Sequence, residues 1–244
     1  MPTVKLILEY DGTGYAGWQR QPNQPTIQEA IETALEGVTQ TKTPVIGAGR
    51  TDAGVHALGQ TASFRIDRIM TPREWARALN AHLPETIVVR SASIMPDEFH
   101  ARYSAKGKLY EYGLLNRGER PAVDRHYCWH IYKPLNDAAM NQAAMALIGS
   151  HDFSSFETQP TENHDPVCHL QHLAVYREGD RLRIEAYADR FLKQMVRSIV
   201  GTLVEVGLDK RLPDSLTTIL DASDRSAAGK TAPPQGLFLM RVDY

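Results

Sequence analysis

The sequence predicts an α+β fold of two domains, in which antiparallel strands pack against helices in two layers. The first half runs strand, helix, strand, strand, helix, strand, which is the split β-α-β, ferredoxin-like order. The second half also mixes strand alternation with helical spacing, and it contains no internal sequence repeat. A basic, flexible stretch at 102–108 separates the halves, so we expect one domain in residues 1–105 and the other in residues 106–244.

Local signals mark each element of the first half. Apolar residues in alternating or continuous runs predict its strands, which lie at 4–10, 45–46, 58–66 and from 87 onwards. Each helix begins at a capping box, a threonine followed three residues later by a glutamate, at Thr26 and at Thr71. We expect the first helix to end at Gly37 and the second to continue through His82. Helices on one face would leave the other face of the sheet free, as in RNA-recognition (RRM-like) modules, which stack single-stranded bases on such a face.

The second half carries equally local signals. Alternating residues predict strands at 109–114 and around 127–132, and a hairpin of 173–176 and 182–188 with its turn at 178–180. The expected helices are one capped by Asn136 or Asp137 and stopped by Gly149, one capped by Asp189 and running from Phe191 to Val206, and a short one after Pro213. A final strand at 236–242 is expected to complete the second domain.

Composition limits the classes of protein. The 244 residues carry a formal net charge of -2 and two cysteines, Cys128 and Cys168. No apolar run approaches the roughly 18 to 20 residues of a membrane span, and the N-terminus has no basic and apolar signal segment. Two cysteines do not make a disulfide framework, so we expect a cytoplasmic protein. The slightly negative charge means that any surface for nucleic acid would be a local basic patch.

The chain is organised around one glycine-rich stretch, Gly47-Ala48-Gly49-Arg50-Thr51-Asp52-Ala53-Gly54-Val55-His56-Ala57. Glycines at this density allow tight turns and a close approach of a ligand to the backbone. A guanidinium beside Asp52 would favour the ionised carboxylate, which a nucleophile or a base requires. On spacing alone, Asp52 fits equally well a surface residue that stabilises its own turn, with Arg50 as a solvated neighbour.

This stretch resembles the catalytic motif of the tRNA pseudouridine synthase A family. The string Phe191-Leu192-x-x-Met195-Val196-Arg197-x-x-Val200-Gly201 is similar to the family's second signature, and Lys108-x-Tyr110-x-Tyr112 resembles its tyrosine strand. Further landmarks stand in family order along the chain, at 10–13, 17–19, 99–102, 151–154 and 234–237. The chain departs from the family at 167–170, where Cys168 and His169 stand in place of a common arginine.

The resemblance implies an isomerase that converts uridine to pseudouridine at positions 38–40, in the anticodon stem-loop of tRNA, without a cofactor. It implies that Asp52 is the catalytic nucleophile or base, that Tyr110 stacks on the target base, and that Arg197 pairs with Asp52. It also implies a homodimer, and two domains whose antiparallel sheets adjoin with the active-site cleft between them. Whether Asp52 attacks C1′, attacks C6 or removes a sugar proton stays open.

Basic residues complete the expected substrate site. Arg50, next to the catalytic turn, would fill the gap that a flipped nucleotide leaves in the stem, or hold the phosphate of that nucleotide. Lys106 and Lys108 are expected to contact the RNA, and together with Arg20 and Arg102 they could follow its backbone by counterion release.

Structural explanations compete with these roles. By periodicity alone, Arg197 fits a core helix from which an arginine extends to solvent, and Tyr110 fits a half-buried strand residue. Four possible zinc ligands lie close together, at His164, Cys168, His169 and His172. Because adjacent residues of a strand point in opposite directions, we expect no metal site there.

Two rival classes of function are considered. The first is a non-catalytic RNA-binding module that uses the same sheet faces. The second is a glycoside-type hydrolase, which would need a second carboxylate roughly 5 to 10 Å from Asp52. A serine hydrolase of the Gly-x-Ser-x-Gly type is not indicated, since that motif is absent from the sequence.

Overall fold

The structure, a computed structural model, describes residues 2–158 and 165–244. The chain divides into two compact units. The first unit comprises Met1–Lys106 together with Phe238–Tyr244, and the second comprises Gly107–Leu237. Within the described ranges, no helix combines the length and the apolar character that a membrane crossing requires.

The described residues form strands and helices of mixed α/β type. The strands are β1 (Thr3–Tyr10), β2 (Ile46–Gly47), β3 (His56–Arg65), β4 (Ile87–Met95), β5 (Gly107–Asn116), β6 (Trp129–Ile131), β7 (Gly149–Asp152), β8 (Val167–Glu178), β9 (Arg181–Ala188) and β10 (Leu237–Asp243). The helices are α1 (Ile27–Thr39), α2 (Pro72–Asn80), α3 (Asp137–Met145), α4 (Met195–Gly207) and α5 (Ser215–Ala222). Short 3-10 turns lie at Ser154–Phe156, Arg225–Ala227 and Pro234–Gly236.

The first unit contains the strand, helix, strand, strand, helix, strand order predicted from the sequence. Strand β1 lies between β3 and β4 and is antiparallel to both, and β2 pairs antiparallel with β3. The predicted capping box of α2 is present, because the Thr71 side chain accepts from the Glu74 N–H and the Glu74 side chain accepts from the Thr71 N–H. The core of this unit includes Trp75 of α2, whose ring meets Phe64 of β3 edge to face at 5.3 Å.

The second unit has an antiparallel sheet in the order β5-β9-β8-β7, with β6 parallel to β5. The predicted hairpin of β8 and β9 is confirmed, and Gly179 in its turn has φ +58°. Alternation along β5 buries Tyr110, Tyr112 and Leu114 on one face, as predicted. Helix α3 packs on β8 and on α4, so helices cover this face of the sheet.

Two helix ends differ from the glycine-based predictions. Gly37 lies inside α1, which ends at Thr39. The residue that caps this end is Gln40, which is left-handed with φ +58°. A Cβ at position 37 would stand 2.8 Å from the His82 ring, so this glycine provides space for a neighbouring side chain. Gly149 does not stop α3, which ends at Met145; it begins β7 instead, with φ +123°.

Two further predicted bounds were wrong. Helix α2 ends at Asn80 and does not include His82. Helix α4 begins at Met195 rather than Phe191, because Gln194 before it is left-handed with φ +59° and breaks the helical run. Asp189 therefore does not cap α4; its Oδ1 accepts from the backbone N–H groups of Arg190 and His169.

The last strand does not complete the second unit as predicted. Strand β10 runs parallel to β3, with Phe238 opposite His56 and Leu239 opposite Ala57. The two strands approach closely, since a Cβ on Gly59 would stand 2.2 Å from the Met240 carbonyl oxygen. The C-terminal strand therefore belongs to the first unit, next to the strand that follows the glycine-rich stretch.

Candidate active site

The glycine-rich stretch forms β2, a loop and the start of β3. Asp52 begins a turn in which the Val55 N–H donates to the Asp52 carbonyl oxygen at 3.1 Å, and Gly54 has φ +75°. A side chain at position 54 would be strained in this conformation, which accounts for the glycine. The Asp52 side chain is partly exposed, so the turn presents its carboxylate at the surface of the unit.

Two other glycines allow the chain to pack directly against this loop. A Cβ on Gly12 would stand 2.1 Å from the Val55 carbonyl oxygen, and a Cβ on Gly17 would stand 2.5 Å from that of Thr51. Gly17 also has φ +96°, and the Trp18 N–H donates to the Thr51 carbonyl oxygen at 3.0 Å. These contacts explain in physical terms why the landmarks at 10–13 and 17–19 accompany the loop.

A buried polar network lies beneath the loop. The Tyr10 and Thr51 hydroxyls are 2.8 Å apart, and the Gln60 side-chain amide donates to the Gly49 carbonyl oxygen at 3.0 Å. The sequence places Gln60 in the strand at 58–66, on the face shared by Leu58, Ala62 and Phe64, but the sequence analysis gave it no role. The signal that could have found it is this position of a polar residue among the apolar residues of one strand face.

His56 is a second buried polar residue that the sequence analysis missed. Its ring is 1% exposed and stacks on Phe238 at 4.7 Å between centroids. Its Nδ1 accepts from the Gly12 N–H at 3.0 Å and lies 3.1 Å from Asp11 Oδ1. His56 thus joins the segment around Gly12 to the C-terminal end of the glycine-rich stretch.

Arg50 lies in the same loop as Asp52 and is exposed. Within residues 2–158 and 165–244, its guanidinium has no hydrogen-bond or ion-pair partner. Arg20 differs, since its guanidinium lies 3.3 Å from a Glu29 oxygen and 3.5 Å from a Glu32 oxygen. Of these two arginines, Arg50 is therefore the one whose charge is available to a ligand.

The tyrosine strand is β5 of the second unit. Tyr110 lies opposite Ala186 of β9, is 7% exposed, and meets the Phe191 ring edge to face at 5.2 Å. Tyr112 is fully buried, and its hydroxyl donates to the Pro233 carbonyl oxygen at 2.7 Å. Burial raises the pKa of Tyr112 well above its ordinary value, although the Arg197 charge opposes the rise. Tyr112 is therefore a neutral structural residue.

Arg197 lies in the first turns of α4 and is partly buried. Its Nε donates to the Ala232 carbonyl oxygen at 2.8 Å, and the Ala232 N–H donates back to the Arg197 carbonyl oxygen at 2.9 Å. This pair of bonds holds the guanidinium against the backbone of residues 230–232. Arg197 is thus fixed in orientation rather than extended freely into solvent.

The remaining predicted basic residues lie in or next to the connection between the units. Lys106 is exposed, and its backbone N–H donates to the Asp243 carbonyl oxygen at 2.8 Å. Lys108 lies in β5 and is partly exposed. Arg102 is exposed, and its guanidinium lies 5.6 Å from the centre of the Tyr103 ring. The structure thus places Arg50, Asp52 and Lys106 in the first unit, and Lys108, Tyr110 and Arg197 in the second.

The segment with possible zinc ligands forms the start of β8. Cys168 is buried, and burial raises the pKa of its thiol to about 11, so the thiol is protonated at neutral pH. His169 is exposed and lies 2.9 Å from the Ser150 hydroxyl. His164 lies outside the described residues, and within those residues no three histidine, cysteine or acidic side chains are placed to hold a metal ion. Arg190 donates to the Val167 carbonyl oxygen, so an arginine reaches this strand from elsewhere in the chain.

Comparison with known proteins gives the same family over most of the chain. A family model described as tRNA pseudouridine synthase matches residues 6–104 and 143–244. The tRNA pseudouridine synthase A of Thermoanaerobacter sp. (strain X514) is 46% identical over 244 residues, which is 100% of both chains. That of Rhodospirillum rubrum is 45% identical over 245 aligned residues, covering 100% of this chain and 88% of its own. A solved structure, of a Cbf5-Nop10-Gar1 complex, aligns over 97% of this chain and 49% of its own, with a TM-score of 0.38 and 10% identity.

The mixed α/β units and the matches along the sequence define the class of protein as a pseudouridine synthase, an enzyme of the isomerase type. The chain belongs to the tRNA pseudouridine synthase family. It therefore isomerises uridine in tRNA.

Proposed function

We propose that the protein converts uridine to pseudouridine at positions 38–40 of the anticodon stem-loop, with Asp52 as the catalytic nucleophile or base. The observation that carries the proposal is the loop at 47–57, which presents a partly exposed carboxylate and an exposed guanidinium. Hydrogen bonds from the strands beneath it hold the backbone of this loop. The position in tRNA rests on the resemblance of this loop and of the Arg197 helix to the synthase A family, and on relatives that carry that name.

The reaction detaches uracil from its ribose, turns it, and rejoins it through C5 instead of N1. Bonds broken and formed balance within one nucleotide, so no external reactant is required. Asp52 supplies the ionised carboxylate at the junction of sugar and base. Its attack on C1′ or C6, or its removal of a sugar proton, would each begin the detachment of the base.

Tyr110 and Arg197 have supporting roles in this proposal. The Tyr110 ring, held by its edge-to-face contact with Phe191, stacks on the detached uracil and prevents its escape. A tyrosine side chain is also among the groups that can take part in removing the proton from C5. Arg197 pairs with the Asp52 carboxylate and keeps it ionised.

A base within a stem reaches such a site only after leaving its stack, which costs a few kcal/mol. Arg50 stabilises the opened stem, either by filling the gap or by binding the phosphate of the flipped nucleotide. Its exposure, and its lack of a polar partner among the described residues, support this assignment. Lys106, Lys108 and Arg102 contact the RNA backbone, whereas the ion pairs of Arg20 make it a weaker candidate.

The proposal also includes the arrangement of the enzyme in the cell. Two domains with their boundary near residues 105 and 106 would place their antiparallel sheets side by side with the catalytic cleft between them. Two copies of the chain would form a homodimer in the cytoplasm and bind tRNA together. Size-exclusion chromatography with light scattering tests the homodimer directly, since a monomer mass would contradict it.

The catalytic assignment is tested with an unmodified tRNA transcript carrying tritium at uridine C5. Isomerisation replaces the C5 hydrogen, so tritium appears in water. We expect release by the wild type and by the control Asp67→Asn, which changes an exposed aspartate of the same unit. We expect no release by Asp52→Asn. Release by Asp52→Asn would remove Asp52 from the mechanism. Wild-type release from a transcript in which cytidine replaces the uridines at positions 38–40 would overturn the proposed tRNA site.

A further inference from the structure

We propose that Tyr10 and Gln60 are positioning residues for catalysis, which set the backbone that carries Arg50 and Asp52. This inference rests on the proposed role of Asp52. The two side chains and Thr51 form one continuous buried network, with exposures of 2% for Tyr10, 6% for Thr51 and 0% for Gln60. Substrate cannot touch Tyr10 or Gln60 at such burial, so their effect on the reaction must pass through the loop.

The hydrogen bonds determine which group of the network donates and which accepts. Gln60 Oε1 accepts from the Thr61 N–H at 3.1 Å, which orients the side-chain amide. Gln60 Nε2 then donates to the Gly49 carbonyl oxygen at 3.0 Å and to the Tyr10 hydroxyl at 3.4 Å. With an amide N–H directed at its oxygen, the phenol can donate its own proton to Thr51 Oγ1, 2.8 Å away.

The network reaches the loop on both sides of Arg50. Gln60 holds the carbonyl group of Gly49, and Tyr10 holds the side chain of Thr51. Backbone bonds add to this hold, since the Ala48 N–H donates to the Thr61 carbonyl oxygen at 2.8 Å. Positions 48, 49 and 51 are thus attached to the sheet, and Arg50 and Asp52 project from a backbone that cannot shift independently.

Packing alone does not require these polar groups. Position 10 ends an otherwise apolar strand face, where phenylalanine would bury the same ring without a hydroxyl. Burial raises the pKa of Tyr10 to about 12, although the hydrogen bonds of Thr51 and Gln60 oppose the rise. The phenol therefore stays neutral and keeps its proton for the bond to Thr51. A buried polar network that is fully satisfied specifies one arrangement of the atoms around it.

The test compares Tyr10→Phe with two control variants. Tyr15→Phe removes another tyrosine–threonine hydroxyl bond of this unit, in which the Tyr15 and Thr86 hydroxyls are 2.8 Å apart and lie outside the network. Tyr244→Phe removes a partly buried phenol that donates to the Ala101 carbonyl oxygen at 2.8 Å. We expect Tyr10→Phe to lower single-turnover tritium release on the order of a hundredfold while the Kd for tRNA stays within twofold of wild type. The controls should keep both values near wild type.

A second pair of variants separates positioning from loss of stability. Thr51→Val removes the same hydrogen bond from the other end, and Thr51→Ser retains the hydroxyl. The double variant of Tyr10→Phe and Thr51→Val should lose no more rate than Tyr10→Phe alone, because both substitutions break the bond between the Tyr10 and Thr51 hydroxyls. Thr51→Ser should restore most of the rate. All comparisons use variants that have a wild-type circular dichroism spectrum. If Tyr10→Phe folds poorly, the comparison of Thr51→Val with Thr51→Ser tests the same hydrogen bond.

Full tritium release by Tyr10→Phe and Thr51→Val would overturn the inference, as would a loss confined to tRNA binding. Additive losses in the double variant would also contradict it. Failure of the proposed function gives a different pattern, in which Asp52→Asn remains active. If Asp52→Asn is inactive and Tyr10→Phe is normal, only the positioning role is wrong.

Discussion

Gly201 of α4 lies so close to the carbonyl oxygen of Lys230 that a Cβ at position 201 would stand 1.7 Å from it. This contact brings the helix that carries Arg197 directly against the segment whose Ala232 carbonyl binds the guanidinium. The glycine at the end of the family's second signature therefore has a structural role. It permits the approach that orients the arginine four residues earlier.

Gly201→Ala should destabilise the protein and displace Arg197. Overpacking of this kind costs about 1 to 3 kcal/mol, and a backbone oxygen cannot rotate away as a side chain can. Urea denaturation measures the loss, and tritium release measures the effect on activity. Gly118→Ala is the control, because nothing lies within 4 Å of a Cβ at that exposed position. Equal stability of the two variants would contradict the packing argument.

Arg197→Lys should lower tritium release on the order of a hundredfold with little change in tRNA affinity. A lysine ammonium cannot reproduce the planar fork of the guanidinium, whose Nε donates to the Ala232 carbonyl oxygen. Arg177→Lys is a matched control in the same unit, since Arg177 also donates to a backbone carbonyl, that of Leu135 at 2.8 Å. Wild-type activity of Arg197→Lys would show that its charge alone is sufficient.

Arg50→Gln should weaken tRNA binding and reduce the salt dependence of that binding. Each phosphate contact contributes roughly one unit to the slope of log K against log salt concentration. Filter binding at several salt concentrations measures this slope. Arg20→Gln should change it less, because Arg20 is already paired with Glu29 and Glu32. An unchanged slope with slower tritium release would assign Arg50 to the gap in the stem instead of to a phosphate.

Protonation of Glu205 should lower the stability of the protein in acid. Burial alone would raise its pKa, but hydrogen bonds from Arg211 and from the Lys230 N–H outweigh burial and lower it. Because the folded-state pKa lies below the unfolded value of about 4.5, the stabilisation is present above that pH and is lost as pH falls below it. Glu205→Gln should therefore reduce the urea midpoint at pH 7 and change it less at pH 3. Glu85→Gln, an exposed control, should change neither midpoint.

The sequence predicts most of the local structure, because the signals act over a few residues. The capping box at Thr71 and the β8–β9 turn are examples, and both are present in the structure. Predictions failed where a distant residue decides the outcome. Gly37, for example, provides space for His82 rather than ending its helix. The predicted start of α4 was wrong for a local reason, because Gln194 adopts the left-handed conformation although it is not a glycine.

The candidate site was predictable only where a motif marks it. The string at 47–57 identifies Asp52 and Arg50 as residues to examine. The hydrogen bond between Arg197 and Ala232 joins residues far apart in sequence, so no local pattern indicates it. The hydrogen bond from Gln60 to Gly49 is hidden for the same reason, although the alternation of Gln60 with Ala62 and Phe64 agrees with its burial.

The pairing of β10 with β3 also determines when the first unit can be finished during synthesis. Residues 1–106 leave the ribosome early, but their sheet lacks β10 until the whole second unit has been translated. The edge of β3 at His56 and Ala57, next to the glycine-rich stretch, can therefore form its pairs with Phe238 and Leu239 only after residues 107–237 have been synthesised.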